Sequence, residues 1–399
     1  MNQRSLFLQH VAQTSLAPMA LEITKAEGCY LYGNDGKRYI DLIGGISVAN
    51  TGHRHPKVLK AIQEQLDAYM HIMIYGEFVE TPQVQYAKYL TDHLPSSLNS
   101  VYFTNSGAEA VEGAMKLAKR VTNRTKIIAA KNSYHGSTQG ALSIIGDEYW
   151  RNAYRPLLPD VLHVDYNSYD WLNEIDSQTA CVILETVQAE AGIIAPKKEW
   201  LQTIRKKCTE KGVLLILDEI QAGFGRTGTL WAFENFEIIP DVLLLGKALG
   251  GGMPLGAFIA NRELMIQLAD NPILGHITTF GGHPVCCAAG LAAMKTLLEE
   301  NLIETVRIKE KIFLEKLKHP LIMEVRSYGL WMAVKFENFE TNKKIIDAMI
   351  AHQQTGVLTD WFLFAADCMR ICPPLIISEA QINQACVIIL NVLNEQPFD

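Results

Sequence analysis

Leu217-Asp218-Glu219-Ile220-Gln221-Ala222-Gly223-Phe224-Gly225-Arg226-Thr227-Gly228 and, soon after, Asp241-Val242-Leu243-Leu244-Leu245-Gly246-Lys247-Ala248-Leu249-Gly250-Gly251-Gly252 decide how this chain folds. An apolar run of strand length leads into each polar residue, Asp218 and Lys247, and glycines follow. Apolar runs without alternation fit strands of a parallel sheet covered on both faces. Lys247 lies 29 residues after Asp218 (247 − 218), roughly the 30 or more residues of one strand–helix–strand unit. The two residues therefore fall at the carboxyl ends of strands one crossover apart, where open α/β sheets bind ligands.

The same rhythm extends to both sides. Candidate strands at Val101–Thr104, Lys126–Ala130, Val161–Val164, Ala180–Glu185, Val213–Asp218, Asp241–Leu245 and Leu255–Ile259 alternate with amphipathic helices such as Ala108–Arg120 and Lys198–Lys211. This alternation predicts an α/β fold, a mostly parallel seven-stranded sheet with helices on both faces. Thr104, Glu185, Asp218 and Leu245 mark four strand ends. Beyond about residue 285 come two long helices (about Pro284–Glu300 and Leu302–Leu317) and short strands at Ile322–Ser327 and Leu330–Lys335. A helix, a strand at Met369–Cys372 and a last helix from Ser378 follow. Near the start, Gly28–Asp41 reads as a hairpin turning at Asn34-Asp35-Gly36. The expected organisation is an N-terminal segment (1–48) joining a small α+β domain, a large domain (49–285), and the rest of the small domain (286–399).

A chain of 399 residues can build a large core and more than one domain. Hydrophobic and charged fractions of 48% and 20% are those of a soluble globular protein. A net charge of −7 without long single-sign runs offers no surface for nucleic acid or for polybasic membrane contact. Gln9, His10, Gln13 and Thr14 interrupt the apolar stretch after Arg4, so no secretory segment is expected. Val242–Ala260 has the length of a membrane span, but Lys247, five glycines and Pro254 argue against lipid. The eight cysteines lack paired C-x-x-C spacing and read as reduced structural thiols of a cytoplasmic protein. His53, His55, His276 and His283 form no H-E-x-x-H, so no metal site is expected.

Four features carry chemistry. Lys247 ends an apolar run: a poorly hydrated amine sheds its proton and attacks aldehydes, although a lysine at a strand end can equally snorkel to water. Asn105-Ser106-Gly107-Ala108-Glu109-Ala110 joins a strand to a helix, so the N–H groups of Gly107 and Ala108 suit a phosphate. Ser106 and Glu109 also read as a capping box. Asp218 at a buried strand end suits a cationic ring nitrogen. Tyr134-His135-Gly136 offers a flat stacking face, or is simply structural. Gly223–Gly228 spells G-x-G-x-x-G, but Asp218–Ala222 separate it from its strand, unlike a dinucleotide fingerprint. Gly246-Lys247-Ala248 is no Walker A, because residue 241 is Asp241 and an alanine follows the lysine. An amine, a pyridinium partner, phosphate donors and a ring cover are what pyridoxal 5'-phosphate needs.

From about Gly28 to Leu375 the chain resembles the class III aminotransferases of the acetylornithine/ornithine type, pyridoxal-phosphate enzymes of fold type I. The resemblance rests on LILDEIQAGFGRTG and DVLLLGKALGGGMPLGA. It implies that Lys247 holds the cofactor as an imine, Asp218 pairs with the pyridinium nitrogen and Gln221 hydrogen-bonds the phenolic oxygen. It also implies that Ser106, Gly107 and Ala108 hold the phosphate and that Tyr134 stacks on the ring, with His135 and Glu185 in the same cofactor set. Thr279, in His276–Pro284, matches a threonine that reaches the phosphate of the neighbouring subunit, which implies a homodimer with shared active sites. Arg370, in Met369–Leu375, resembles an arginine that binds an α-carboxylate. Glu190 matches the glutamate that neutralises it while an ω-amine occupies the site. On the residues alone, Arg370 and Glu190 could equally be halves of structural ion pairs.

Ser137 departs from the family pattern F-H-G-R-T, here Tyr134-His135-Gly136-Ser137-Thr138. The missing arginine grips a substrate carboxylate, and losing a charge-assisted hydrogen bond weakens binding by about 1.5–3 kcal/mol. Either another basic residue (Arg54 or Arg151) substitutes, or the substrate lacks that carboxylate. The implied activity is ping-pong transfer of an amino group from an ω-amino donor of the acetylornithine, ornithine, lysine or 4-aminobutyrate kind to 2-oxoglutarate. The alternatives are an aminomutase or racemase of the same fold, a transaminase of amines or β-amino acids using pyruvate, and a non-catalytic scaffold.

Overall fold

Seven strands form the central sheet of the computed structural model, which describes residues 2–74, 76–353 and 355–395. Their spatial order is Ser100–Thr104, Gly256–Ala260, Val242–Leu245, Leu214–Asp218, Thr179–Glu185, Lys126–Ala130, Val161–Val164. Gly256–Ala260 runs antiparallel to both of its neighbours, and the remaining pairs are parallel. The apolar runs behave as their composition requires: Thr179–Glu185, Val242–Leu245 and Gly256–Ala260 bury every residue. Successive side chains enter two separate cores. Ile127, Ile183, Ile216 and Leu244 face one, with the Gly107–Thr122 helix; Ile128, Leu184, Leu217 and Leu245 face the other. Each such buried side chain contributes roughly 1.5–3 kcal/mol.

The Gly107–Thr122 helix starts at its Ser106 cap and stops at Asn123 in the left-handed region. Lys119 and Arg120 sit in its last turn, where cations complement the helix dipole. Gly113 lets this helix lie close to the sheet, since a Cβ there would stand 2.4 Å from the Phe258 ring. Sheet register then sets the ligand edge. Glu185 pairs with Asp218, and Asp218 with Leu244 on the next strand. Lys247 follows just past the end of that third strand, so three adjacent strand ends bring Glu185, Asp218 and Lys247 to one edge.

The hairpin near the start forms as Tyr30–Gly33 and Arg38–Asp41. Ile23–Glu27 extends it on one side, and Thr355–Leu358, from far along the chain, pairs in parallel with Arg38–Asp41 on the other. Neither outer strand is legible in sequence, because Ile-Thr-Lys-Ala-Glu is a largely polar edge and Thr-Gly-Val-Leu is too short to show a period. A second four-stranded sheet contains Glu324–Ser327, Met332–Lys335, Ala365–Ile371 and Trp361–Phe362. Its Ala365–Ile371 strand begins earlier than the expected Met369. The segment from Leu302 opens as a 3-10 turn, Ile303–Thr305, before the Val306–Lys316 helix. Pro284–Glu299 packs on the Pro56–Ala68 and Thr81–Asp92 helices. All eight cysteines are buried and unpaired. Among the described residues, no helix is long and apolar enough to cross a membrane.

Candidate active site

A cleft of about 460 Å³ opens at the carboxyl edge of the sheet, with Lys247, Asp218, Gln221 and Glu185 in its wall. Lys247 adopts φ +48°, a left-handed conformation that strains a residue with a side chain. Its side chain is half-buried. Burial lowers the pKa of its ammonium group, opposed by the nearby carboxylates of Glu190 and Asp218. The environment thus moves Lys247 toward the neutral, nucleophilic amine.

Asp218 is held on both oxygens. His135 Nδ1 lies 2.7 Å from Oδ2, and the Ile220 N–H donates to Oδ1 at 2.9 Å. Glu185 accepts the Tyr134 N–H at 3.0 Å and the Ala189 N–H at 2.9 Å. Burial pushes its carboxyl up to about 7, against the pull of His135. Two buried polar atoms beside them, Gln221 Oε1 and His135 Nε2, have no hydrogen-bond partner among the described residues. Buried polar groups are normally satisfied, so an unsatisfied one in a cleft calls for an occupant.

Gly107 and Ala108 line the cleft at the helix start, where first-turn N–H groups have no intrahelical acceptor. The Ser106 hydroxyl caps that helix from behind, accepting the Glu109 N–H at 3.2 Å. The Glu109 carboxylate reaches the Asn105 N–H at 2.7 Å, one residue short of a full capping box. The facing loop comes close because Gly136, at φ +130°, has no side chain; a Cβ there would stand 2.6 Å from that of Ala108. Glu112, from the same helix, pins the loop by accepting from the Thr138 hydroxyl and the Gly140 and Ala141 N–H groups at 2.7, 2.9 and 3.1 Å. Within this pinned loop Ser137 is exposed to the cleft, its Oγ 3.1 Å from the Tyr134 hydroxyl.

Beside Lys247 lies a buried fork. Arg370 Nη1 and Nη2 donate to Glu190 Oε1 and Oε2 at 3.0 and 3.1 Å, with side chains 3% and 7% exposed. Asp360 accepts from Arg370 Nε at 2.7 Å. Bidentate pairing of this kind fixes geometry as well as charge. The two flanking carboxylates outweigh the cost of burying the guanidinium and hold its pKa above the usual arginine value.

An amine tuned toward neutrality, a carboxylate, an unsatisfied amide oxygen and helix-start N–H groups thus surround one volume. That donor set fits a phosphorylated pyridine aldehyde. The family pattern for aminotransferase class-III matches residues 11–393. The chain is a class-III aminotransferase. Acetylornithine aminotransferase of Methanopyrus kandleri is 39% identical to it over 381 residues, 94% of each chain. The [LysW]-aminoadipate semialdehyde/glutamate semialdehyde transaminase of Sulfurisphaera tokodaii is 39% identical over 321 residues, 79% of this chain and 81% of its own. The ornithine aminotransferase of Toxoplasma gondii superposes with a TM-score of 0.89 at 29% identity, covering 97% of this chain and 93% of its own. Transaminases of this class work with pyridoxal phosphate, and so does this aminotransferase.

Of the residues singled out in sequence, the aminotransferase brings Gly107, Ala108, Tyr134, His135 and Ser137 into one cleft with Glu185, Glu190, Asp218, Gln221 and Lys247. Ser106 stands behind the helix start, and Arg370 is screened from the cleft by Glu190. Thr279 is exposed, outside the cleft of its own protomer. Neither Arg54 nor Arg151 lines the cleft beside Ser137. Arg151 is committed to Glu148 and to the Ser143 carbonyl. Asp360 and Glu112 were missed. Asp360 had a faint signal, an acid ten residues before Arg370 at hairpin spacing, and its carbonyl indeed accepts the Arg370 N–H at 2.9 Å.

Proposed function

We propose that this aminotransferase moves an amino group from an ω-amino donor of the acetylornithine, ornithine, lysine or 4-aminobutyrate kind to 2-oxoglutarate. The reaction runs in two half-reactions, the carbonyl product leaving before the oxo acid binds. The observation that carries this reading is the Glu190–Arg370 fork beside Lys247. With Glu190 in place, the arginine is neutralised and the cleft accepts an amine end; with Glu190 withdrawn, the Nη edge takes the α-carboxylate of an oxo acid. Bound pyridoxal phosphate supplies the electron sink for the carbon that loses its proton. Lys247 removes that proton as a neutral amine and returns it, acting as base and then acid. Asp218, steadied by His135, partners the ring nitrogen, and Gln221 the phenolic oxygen. Ser106, Gly107 and Ala108 receive the phosphate, Tyr134 covers the ring, and Glu185 fixes the Tyr134 loop.

Thr279 of a second copy completes the phosphate site in a homodimer. Exposed Met70 and Phe280, which line one apolar groove with Ile62, Leu66 and Met253, support a subunit interface, since large apolar side chains gathered at a surface mark association. The buried, unpaired cysteines support a reducing, cytoplasmic setting. Lys247→Ala should abolish turnover in a folded protein; a variant that turns over like the wild type sinks the reading.

Ser137 favours a second reading. Among the described residues lining the cleft there is no arginine and Lys247 is the single lysine, so a second substrate carboxylate finds no guanidinium in this protomer. That arrangement suits a donor without a distal carboxylate, such as a simple amine or a β-amino acid, with pyruvate as acceptor. A panel of acetylornithine, ornithine, lysine, 4-aminobutyrate, diamines and β-amino acids, each with 2-oxoglutarate and pyruvate, decides between the two. If Ser137 sets the choice, Ser137→Arg shifts the preference toward 2-oxoglutarate.

A further inference from the structure

Five consecutive residues, Asp360-Trp361-Phe362-Leu363-Phe364, surround the Glu190–Arg370 fork. The Asp360 carboxylate accepts from Arg370 Nε at 2.7 Å, and the Trp361 carbonyl accepts from Nη2 at 3.1 Å. The Phe362 ring lies 4.4 Å from the guanidinium carbon. On the glutamate side, the Leu363 N–H donates to Glu190 Oε2 at 3.0 Å and the Phe364 N–H to the Glu190 carbonyl at 3.0 Å. Both members of the fork therefore rest on one segment. Within it, Asp360 is the only residue that meets Arg370 with a charge.

The contacts divide by edge. Glu190 occupies the Nη1/Nη2 edge and itself lines the cleft, whereas Asp360 holds Nε. Asp360 and Arg370 also share a backbone hydrogen bond at 2.9 Å, so this contact starts from a rigid element and not from a loop tip. When Glu190 leaves, the Nε contact, the Trp361 carbonyl and the Phe362 ring remain. An incoming α-carboxylate then replaces the Glu190 carboxylate charge for charge. We propose that Asp360 is a positioning residue for oxo-acid recognition: it fixes the guanidinium so that its Nη edge stays aimed at the cleft once Glu190 withdraws. This rests on the reading of Arg370 as the α-carboxylate receptor.

The test is Asp360→Asn in the holoenzyme, with the two substrates titrated separately and the melting temperature recorded. Releasing Nε from its charge-assisted bond should raise KM for 2-oxoglutarate and for pyruvate about tenfold. KM for a carboxylate-free donor, 1,5-diaminopentane, should stay within twofold, because Arg370 is still masked by Glu190 when the amine binds. Asp360→Glu, which keeps the charge, should lie between the two, and it carries the test if the asparagine variant does not fold. Equal changes in both KM values, or none, overturn the role of Asp360. Arg370→Lys separates the two levels. If it leaves KM for the oxo acid unchanged, the receptor reading itself fails and Asp360 falls with it. If it raises that KM while both Asp360 variants match the wild type, only the positioning role fails.

Discussion

At the scale of single residues, the cleft works by placing charges where water does not compensate them. His135 and the Ile220 N–H aim the Asp218 carboxylate. His135→Ala removes one charge-assisted hydrogen bond, about 1.5–3 kcal/mol, so kcat/KM should fall roughly 10- to 150-fold; a loss under twofold contradicts this role. Glu80 is a second buried acid, remote from the chemistry. Neither of its oxygens has a partner among the described residues, and burial pushes its carboxyl up to about 7. An unfolded glutamate titrates near 4.3. Between those values the folded chain keeps a proton that the unfolded chain has released, so stability is greatest below the window and falls as pH rises through it. Glu80→Gln lacks this dependence and should melt roughly 1–3 °C above the wild type at pH 8, with the gap closing toward pH 5. A gap independent of pH counts against the assignment. Lys247 and Asp218 were legible in sequence because each ends a run of strand-forming apolar residues. Asp360 and Glu112 were not, because their partners lie 10 and 26 or more residues away and meet them only through tertiary approach.

At the scale of elements, the strands of the central sheet are legible because burial on both faces leaves unbroken apolar runs, and their ends fall within a residue of expectation. The outer strands Ile23–Glu27 and Thr355–Leu358 escape for two different reasons: the first is an exposed edge that needs no apolar face, while the second, though buried, is four residues long and pairs with a partner over 300 residues away, which leaves no local trace. Beside the shared apolar core, one buried arginine ties these parts together. Arg226, fully enclosed, donates to the Leu330 and Pro373 carbonyls at 2.9 and 2.7 Å and to Asn50 Oδ1 at 2.5 Å. It ties the loop after Asp218 to an early segment and to the residues just beyond Arg370. A lysine cannot reach three acceptors so arranged. Arg226→Lys should therefore cost about 2–4 kcal/mol of stability, read by denaturant unfolding, and a loss below 0.5 kcal/mol rejects the staple.

At the scale of the whole molecule, the cleft of one chain leaves Thr279 outside it, and the next residue, Phe280, is exposed and lines an apolar groove with Met70, Leu66 and Ile62. If two chains build each site, complementation follows. Thr279→Arg should inactivate by blocking the partner's phosphate site, and Lys247→Ala by removing the amine. Co-expressed, the two inactive variants should regain roughly a quarter of wild-type activity, because about half of the dimers are mixed and each mixed dimer contains one intact site of two; no recovery from verified mixed dimers refutes sharing. The pinned loop at residues 134–141 has a consequence for how such enzymes diversify. Glu112 carries the loop's shape through Thr138, Gly140 and Ala141, while Ser137 projects into the cleft with no part in that anchoring. If Ser137 sets the choice of substrate, a substitution there retunes the cleft without first repairing the scaffold. Position 137 would then be where a lineage can change trade while keeping its architecture.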